Sequence, residues 1–231
     1  MEKNFITTTS PVIEFNYEKY PLALRIPAQL ISYIFHPLFV PVIATWYLAF
    51  IHQGYFTGIA PHDRVLIVIR VAVNTIIFPG VTVLLLKAVG FIKSIYLRTQ
   101  RERIIPYVGA NLFYFWMYLV FRNQPEVPPI LTAFIFGIFL SSSVGLFANI
   151  YFKISMHALG MGTFSGLLLI MIFGGSPYGI FLQAMIVFLI AGLVCTSRMI
   201  ISDHRPSDIY SGIFFGIICQ VIASLFIGLS A

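Results

Sequence analysis

Seven long apolar runs constrain this chain more than any other feature. They lie at 28–51, 64–90, 105–122, 128–152, 157–175, 177–198 and 208–230. A helix needs about 20 apolar residues to cross the hydrocarbon layer of a bilayer. Inside that layer no water satisfies backbone N–H and C=O groups, so only helices and closed barrels cross it. Barrel strands alternate apolar and polar residues in pieces of about ten, and these runs do not alternate. The expected fold class is therefore all-α, a polytopic membrane helical bundle of six or seven transmembrane helices. Composition agrees: 59% of the residues are hydrophobic and 10% charged, against about 25% charged in soluble domains. Mean hydropathy is +0.93.

Turn chemistry falls between the runs, at His52-Gln53-Gly54, Asn123-Gln124-Pro125 and Gly174-Gly175-Ser176-Pro177. Residues 1–27 mix Glu2, Lys3, Glu14, Glu18 and Lys19 with Pro11, Pro21 and Pro27 and lack a signal-peptide core. They read as an interfacial lead-in, with a surface-lying piece around Tyr17 to Ile26. Residues 28–231 read as a single transmembrane domain, with no room for a second, soluble one. Cys195 and Cys219 sit within apolar runs as packing residues without metal-ligand spacing.

The scarce polar residues are concentrated. Ser197, Arg198, Asp203, His204, Arg205 and Asp208 fall within twelve residues of one another. A second cluster holds Lys153, Ser155 and His157. A third holds Lys93, Arg98, Arg101 and Arg103. Counting crossings from Arg98–Arg103 returns the chain to the same face at Lys153–His157 and again at Arg198–Asp208. Three clusters are thus expected at one end of the bundle. Gly162/Gly166 and Gly212/Gly216, four residues apart, permit close helix contact, first of all as ordinary membrane packing.

Each cluster has a chemistry. His204 and Asp208 stand at i and i+4, so on a helical path the carboxylate reaches one imidazole nitrogen. That contact sets the tautomer and leaves the other nitrogen as a nucleophile. Arg198 offers a planar fork of donors suited to phosphate oxygens. Ser155 and His157 open the fifth run, where a helix N-terminus presents free N–H groups to an anion. Ser155 reads as a cap that also donates to an oxyanion, and His157 as a general acid. Lys93 and Arg98 read as topology or lipid-headgroup charges, whereas Arg101 and Arg103 are placed to reach a phosphate. His36, in FHPLFVP, reads first as a satisfied, inward-facing histidine at a kink made by Pro37 and Pro41, with substrate contact as the second reading. Arg70 reads as a snorkelling side chain.

Ser197-Arg198, five residues, His204, three residues, Asp208 resembles the third signature of the type 2 phosphatidic acid phosphatase superfamily. That superfamily includes lipid phosphate phosphatases, bacterial acid phosphatases and vanadium haloperoxidases. Ile154-Ser155-Met156-His157 keeps the Ser and His of its second signature, Pro-Ser-Gly-His. The first signature, Lys, six residues, Arg-Pro, is absent; the nearest text is Arg98 to Pro106. The resemblance spans about 98–208. It implies that His204 attacks phosphorus and becomes a phosphohistidine, that Asp208 orients it, and that His157 protonates the leaving group. It further implies that Arg198, Ser155 and a basic residue of the Lys93–Arg103 cluster, Arg101 or Arg103, hold the phosphoryl oxygens, with no metal and no cofactor; Lys153, beside Ser155, is a further candidate for binding the phosphate.

The expected function is a lipid phosphatase acting on a phospholipid or isoprenoid phosphate, with membrane lipids as its surroundings. Its alternatives are a lipid phosphotransferase using the same pocket and a lipid-binding or transport protein. The net charge of +6 reads as topology or anionic-ligand charge, and no nucleic-acid partner is expected. The expected location is a bacterial inner membrane. The side stays open, because the basic residues crowding the cluster face serve topology and phosphate binding alike. Oligomeric state is not legible.

Overall fold

A computed structural model describes residues 20–95, 100–175, 179–201 and 204–229, with only the backbone of Gln100, Arg101 and Arg103. Among these residues every regular element is helical. The helices are α1 (Leu22–Ile34), α2 (Val40–Trp46), α3 (Pro61–Ala72), α4 (Phe78–Ala88), α5 (Gln100–Arg122), α6 (Pro129–Tyr151), α7 (Met156–Phe173), α8 (Phe181–Ile201) and α9 (Pro206–Ile227). α2 runs on through a wide π turn, Tyr47–Ile51. A second π turn, Val73–Ile77, joins α3 to α4. That turn directly precedes Pro79, whose ring would collide with the previous turn of a regular helix.

Six helical stretches among the described residues are long and apolar enough to cross a membrane: Pro61–Ala88, Ile104–Arg122, Pro129–Tyr151, Met156–Phe173, Phe181–Ile201 and Pro206–Ile227. The chain is an integral membrane helical bundle. Its spans start and stop where local chemistry dictates. Pro61, Pro129 and Pro206 occupy first helical positions, where a missing N–H costs nothing. Gly228 ends α9 in the left-handed region at φ +83°.

The first apolar run departs from expectation. Residues 28–51 are not one span: α1 stops at Ile34 and a new helix starts at Val40. Pro37 disfavours helical geometry at His36. The intervening chain turns tightly, with His36 O accepting from Phe39 N at 2.7 Å and Val40 N at 3.2 Å. α1 also runs unbroken through Pro27, across the expected boundary between lead-in and membrane domain. Of the expected surface-lying piece at 17–26, residues 17–19 lie outside the described residues, and Leu22 onward belongs to α1.

The core surrounds α7 and takes in α2 with its π turn, α3, α5, α6 and α8, while α9 packs closely along another side of α7. Phe134, Met161, Leu167, Leu168, Met117 and Leu48 are fully enclosed there. Trp116, Leu182, Met185, Leu189 and Phe226 point outward from the bundle, as lipid-facing side chains do.

The glycine pairs hold this contact together. A Cβ at Gly216 would collide with the Leu159 carbonyl, and one at Gly162 with the Ile213 carbonyl. A Cβ at Gly212 would lie 2.9 Å from the Ser155 carbonyl. Only glycine lets the two backbones approach so closely. The same approach brings the N-termini of α7 and α9 side by side, with Ser155 N donating to Asp208 O at 3.0 Å.

Candidate functional site

Five helix ends gather at one end of the bundle: the start of α5, the α6–α7 turn and the α8–α9 turn. They meet a cavity of about 1160 Å³. Lys153, His157, Arg198 and His204 stand on its wall, as does His36 from the broken first run. Two of the three sequence clusters therefore converge as the crossing count requires. Of the third, Arg98 and the side chains of Arg101 and Arg103 lie outside the described residues. The backbone of 101 and 103 forms the first turn of α5, and Pro106 and Tyr107 of that helix line the cavity.

His204 immediately precedes α9. Its Nδ1 lies 3.5 Å from Asp208 Oδ2, with both side chains largely enclosed. Asp208 Oδ2 also accepts from Arg205 N at 3.0 Å, the reciprocal contact of a capping box. One carboxylate thus starts the helix and also faces the imidazole. With Nδ1 turned to the carboxylate, Nε2 is the nitrogen left for chemistry. Burial, and then the charges of Arg198 and Lys153, lower the His204 pKa to about 4 against the upward pull of Asp208. The ring is neutral near pH 7, as a nucleophile must be.

Arg198 sits in the last turn of α8, where a cation also complements the helix dipole. Its neighbour Ser197 is buried and donates to Leu193 O at 2.7 Å, away from the cavity. Ser155 caps α7: its Oγ accepts from Ala158 N at 3.4 Å. It is fully buried and does not line the cavity. In this structure its work is to start α7 and tie it to α9.

His157, in the first turn of α7, meets the broken run. Its Nε2 lies 3.1 Å from the carbonyl oxygen of Ser32, in the last turn of α1. A carbonyl can only accept, so Nε2 carries the proton and the neutral ring's lone pair sits on Nδ1. The His36 ring packs edge-on against His157, with centroids 5.3 Å apart at 85°. His36 Nδ1 accepts from Leu38 N at 3.3 Å. At His36 the helix breaks outright where a kink was expected, and His36 is also a wall of the cavity. Sequence reasoning ranked substrate contact at His36 behind a purely structural role. The available signal was a histidine followed by proline at the centre of an apolar run, where an ionisable group is costly without a partner.

Away from the charged wall the cavity is mainly apolar, lined by Val40, Val83, Leu84, Phe134 and Ile138 with Tyr114, and by the hydroxyl residues Ser141, Ser142 and Thr163. No three His, Cys, Asp or Glu side chains among the described residues converge in a way that would hold a metal ion. Compared with known proteins, the chain matches no family model, no curated protein and no solved structure.

Proposed function

We propose that this membrane protein is a phosphohydrolase that cleaves a lipid phosphomonoester or diphosphate through a phosphohistidine on His204. The observation that carries this reading is the His204–Asp208 pair, enclosed at a cavity whose wall also holds Arg198, Lys153 and His157. The signature-like spacing of these residues supports the same reading. The apolar remainder of the cavity suits a lipid tail.

In the first step the Nε2 lone pair of His204 forms a bond to phosphorus. The bond from phosphorus to the leaving oxygen breaks, and its electron pair stays on that oxygen. His157, protonated beside the anionic substrate, gives the Nδ1 proton to that oxygen while its Nε2–H remains on Ser32 O. Asp208 accepts from Nδ1–H of His204 and stabilises the positive charge that the ring acquires. In the second step water attacks phosphorus and passes a proton to His157 Nδ1. The N–P bond breaks, its pair returns to His204 Nε2, and phosphate leaves. Charge in such transition states spreads over the equatorial oxygens, so the Arg198 fork and the Lys153 ammonium stabilise the transferring group.

The test is phosphate release by purified protein in detergent with EDTA. The substrates are phosphatidic acid, phosphatidylglycerophosphate and undecaprenyl diphosphate, each run beside His204→Ala. EDTA-resistant release should fall by about a thousandfold or more in the variant, as removal of a covalent nucleophile does. Unchanged release would remove His204 from the chemistry. No release from any substrate by folded protein would refute the hydrolase.

A further inference from the structure

The mechanism above leaves one cavity histidine without a part. His36 is contributed by the turn between α1 and α2, far in sequence from the other groups, and its ring lies edge-on to the His157 ring. Its tautomer is set by the backbone. Nδ1 accepts from the Leu38 amide, so the neutral ring carries its proton on Nε2. Among the described residues that Nε2–H has no protein acceptor. The cavity therefore holds a hydrogen-bond donor fixed beside the residue assigned to the leaving oxygen.

Resting on the phosphohydrolase reading, we propose that His36 binds the leaving group through Nε2–H and so selects lipid diphosphates over lipid monophosphates. The two substrate classes differ in what departs. From a monophosphate ester an alcohol departs, and its one oxygen is the atom that His157 protonates. From a diphosphate an alkyl phosphate departs. The bridging oxygen takes the His157 proton, and the inner phosphorus carries two further oxygens that need donors. His36, on the cavity wall with its ring against His157, supplies one of them. No proton is transferred from His36; it donates a hydrogen bond throughout. Attack is on the terminal phosphorus, so the products are inorganic phosphate and an alkyl monophosphate.

The probes are dodecyl diphosphate and dodecyl phosphate, which share one tail. His36→Phe keeps an aromatic ring against His157 and removes the donor, whereas His36→Gln restores an N–H. Loss of one hydrogen bond to a charged group lowers kcat/KM by about tenfold or more. That loss is expected in His36→Phe on the diphosphate, with less than about a threefold change on the monophosphate, and partial recovery is expected in His36→Gln. The monophosphate rate of the same preparation reports folding. Equal losses on both substrates, or none on either, would overturn the proposal. A second arm needs no turnover: calorimetric binding of methylenediphosphonate and of inorganic phosphate. His36→Phe should weaken the former selectively, and equal affinities in wild type and variant would overturn the proposal. Absence of turnover in wild type would count against the hydrolase, and the binding arm would still decide for or against His36.

Discussion

The two ends of the bundle use basic side chains in opposite ways. At the end away from the cavity, Arg64 closes over its own chain. Its Nε donates to Ile59 O at 2.9 Å, Nη2 to Phe56 O at 3.0 Å, and Nη1 to Ala49 O at 3.2 Å and Gln53 Oε1 at 3.0 Å. Ala49 lies in the π turn, Phe56 ends the short turn after it, and Ile59 follows in the connection to α3, all places where regular helical bonding lapses. Arg64 thus completes the backbone accounting of an irregular segment. Nearby, Arg70 extends to Gln124 Oε1 at 3.0 Å, the snorkelling expected of it. At the cavity end, Arg198 and Lys153 stand on the wall of an open volume and press the His204 ring toward its neutral form. The contrast teaches that an arginine near a membrane face is not in itself a binding site. Its surroundings decide: carbonyls of the same chain make it a clamp, and a cavity beside a histidine–carboxylate pair makes it a recognition group.

The sharpest way to break this comparison exchanges the two arginines separately. Arg198→Ala should lower kcat/KM for phosphate release by about 10²–10³-fold, the effect of removing a charged transition-state donor. Its thermal unfolding midpoint should stay close to wild type. Arg64→Ala should do the reverse. It takes the side-chain donor from three carbonyls, of which Phe56 O keeps the Ile59 amide, and should lower stability by about 1–3 kcal/mol, with turnover per folded molecule retained. Denaturation in detergent followed by tryptophan fluorescence, beside initial rates, separates the outcomes. Loss of activity in both, or of stability in both, would erase the distinction.

A smaller effect is expected from the contact that assembles the cavity end. Gly216→Ala places a methyl group against the Leu159 carbonyl. Forcing a methyl into packed helices costs about 1–3 kcal/mol. The shift should also disturb the Ser155 N to Asp208 O contact, so activity should fall together with stability. Gly192→Ala, where an added Cβ meets open space, is the control. Equal behaviour of the two variants, by unfolding and by rate, would show that close packing of α7 on α9 does not hold the site.

The smallest effect concerns pH. The His204 pKa in the fold is lowered to about 4, whereas a free imidazole titrates near 6.5. The acid limb of kcat/KM assigned to the nucleophile should therefore lie near pH 4, with the neutral ring active above it. For stability the sign follows from proton uptake. As pH falls through about 6.5 the unfolded chain binds a proton that the folded chain refuses until about 4. The His204 contribution to stability thus declines across that window and is level below it. Lys153→Gln removes one of the charges lowering the pKa and should move the limb upward. Asp208→Asn removes the group that raises it and should move the limb down. A rate profile from pH 3.5 to 8 checks both directions; a Lys153→Gln limb that stays in place would take Lys153 away from His204.

Much of the fold was legible because lipid allows few solutions. Runs of about twenty apolar residues must be helices, and six spans stand close to their expected positions. The crossing count then placed Lys153, His157, Arg198 and His204 at one end, because an even number of crossings returns a chain to the same face. The i, i+4 relation of His204 and Asp208 was equally local. Ser155 was read for two roles, and its buried hydroxyl takes the capping one. The broken first run was the main error: hydropathy sums over a window and does not register that Pro37 interrupts the helix.

The sequence by itself determined the solvent, the helical class and the histidine–carboxylate spacing, since each depends on residues within one run or close by; it left six or seven crossings open, and the structure shows six stretches long enough to cross among the described residues. Only the tertiary structure decided that a broken helix from the N-terminal region closes the site. The Ser32 carbonyl and His157 Nε2 are 125 residues apart in sequence. No periodicity or spacing encodes which face of one helix meets which end of another; that depends on where backbones can approach, here at the glycines of α7 and α9.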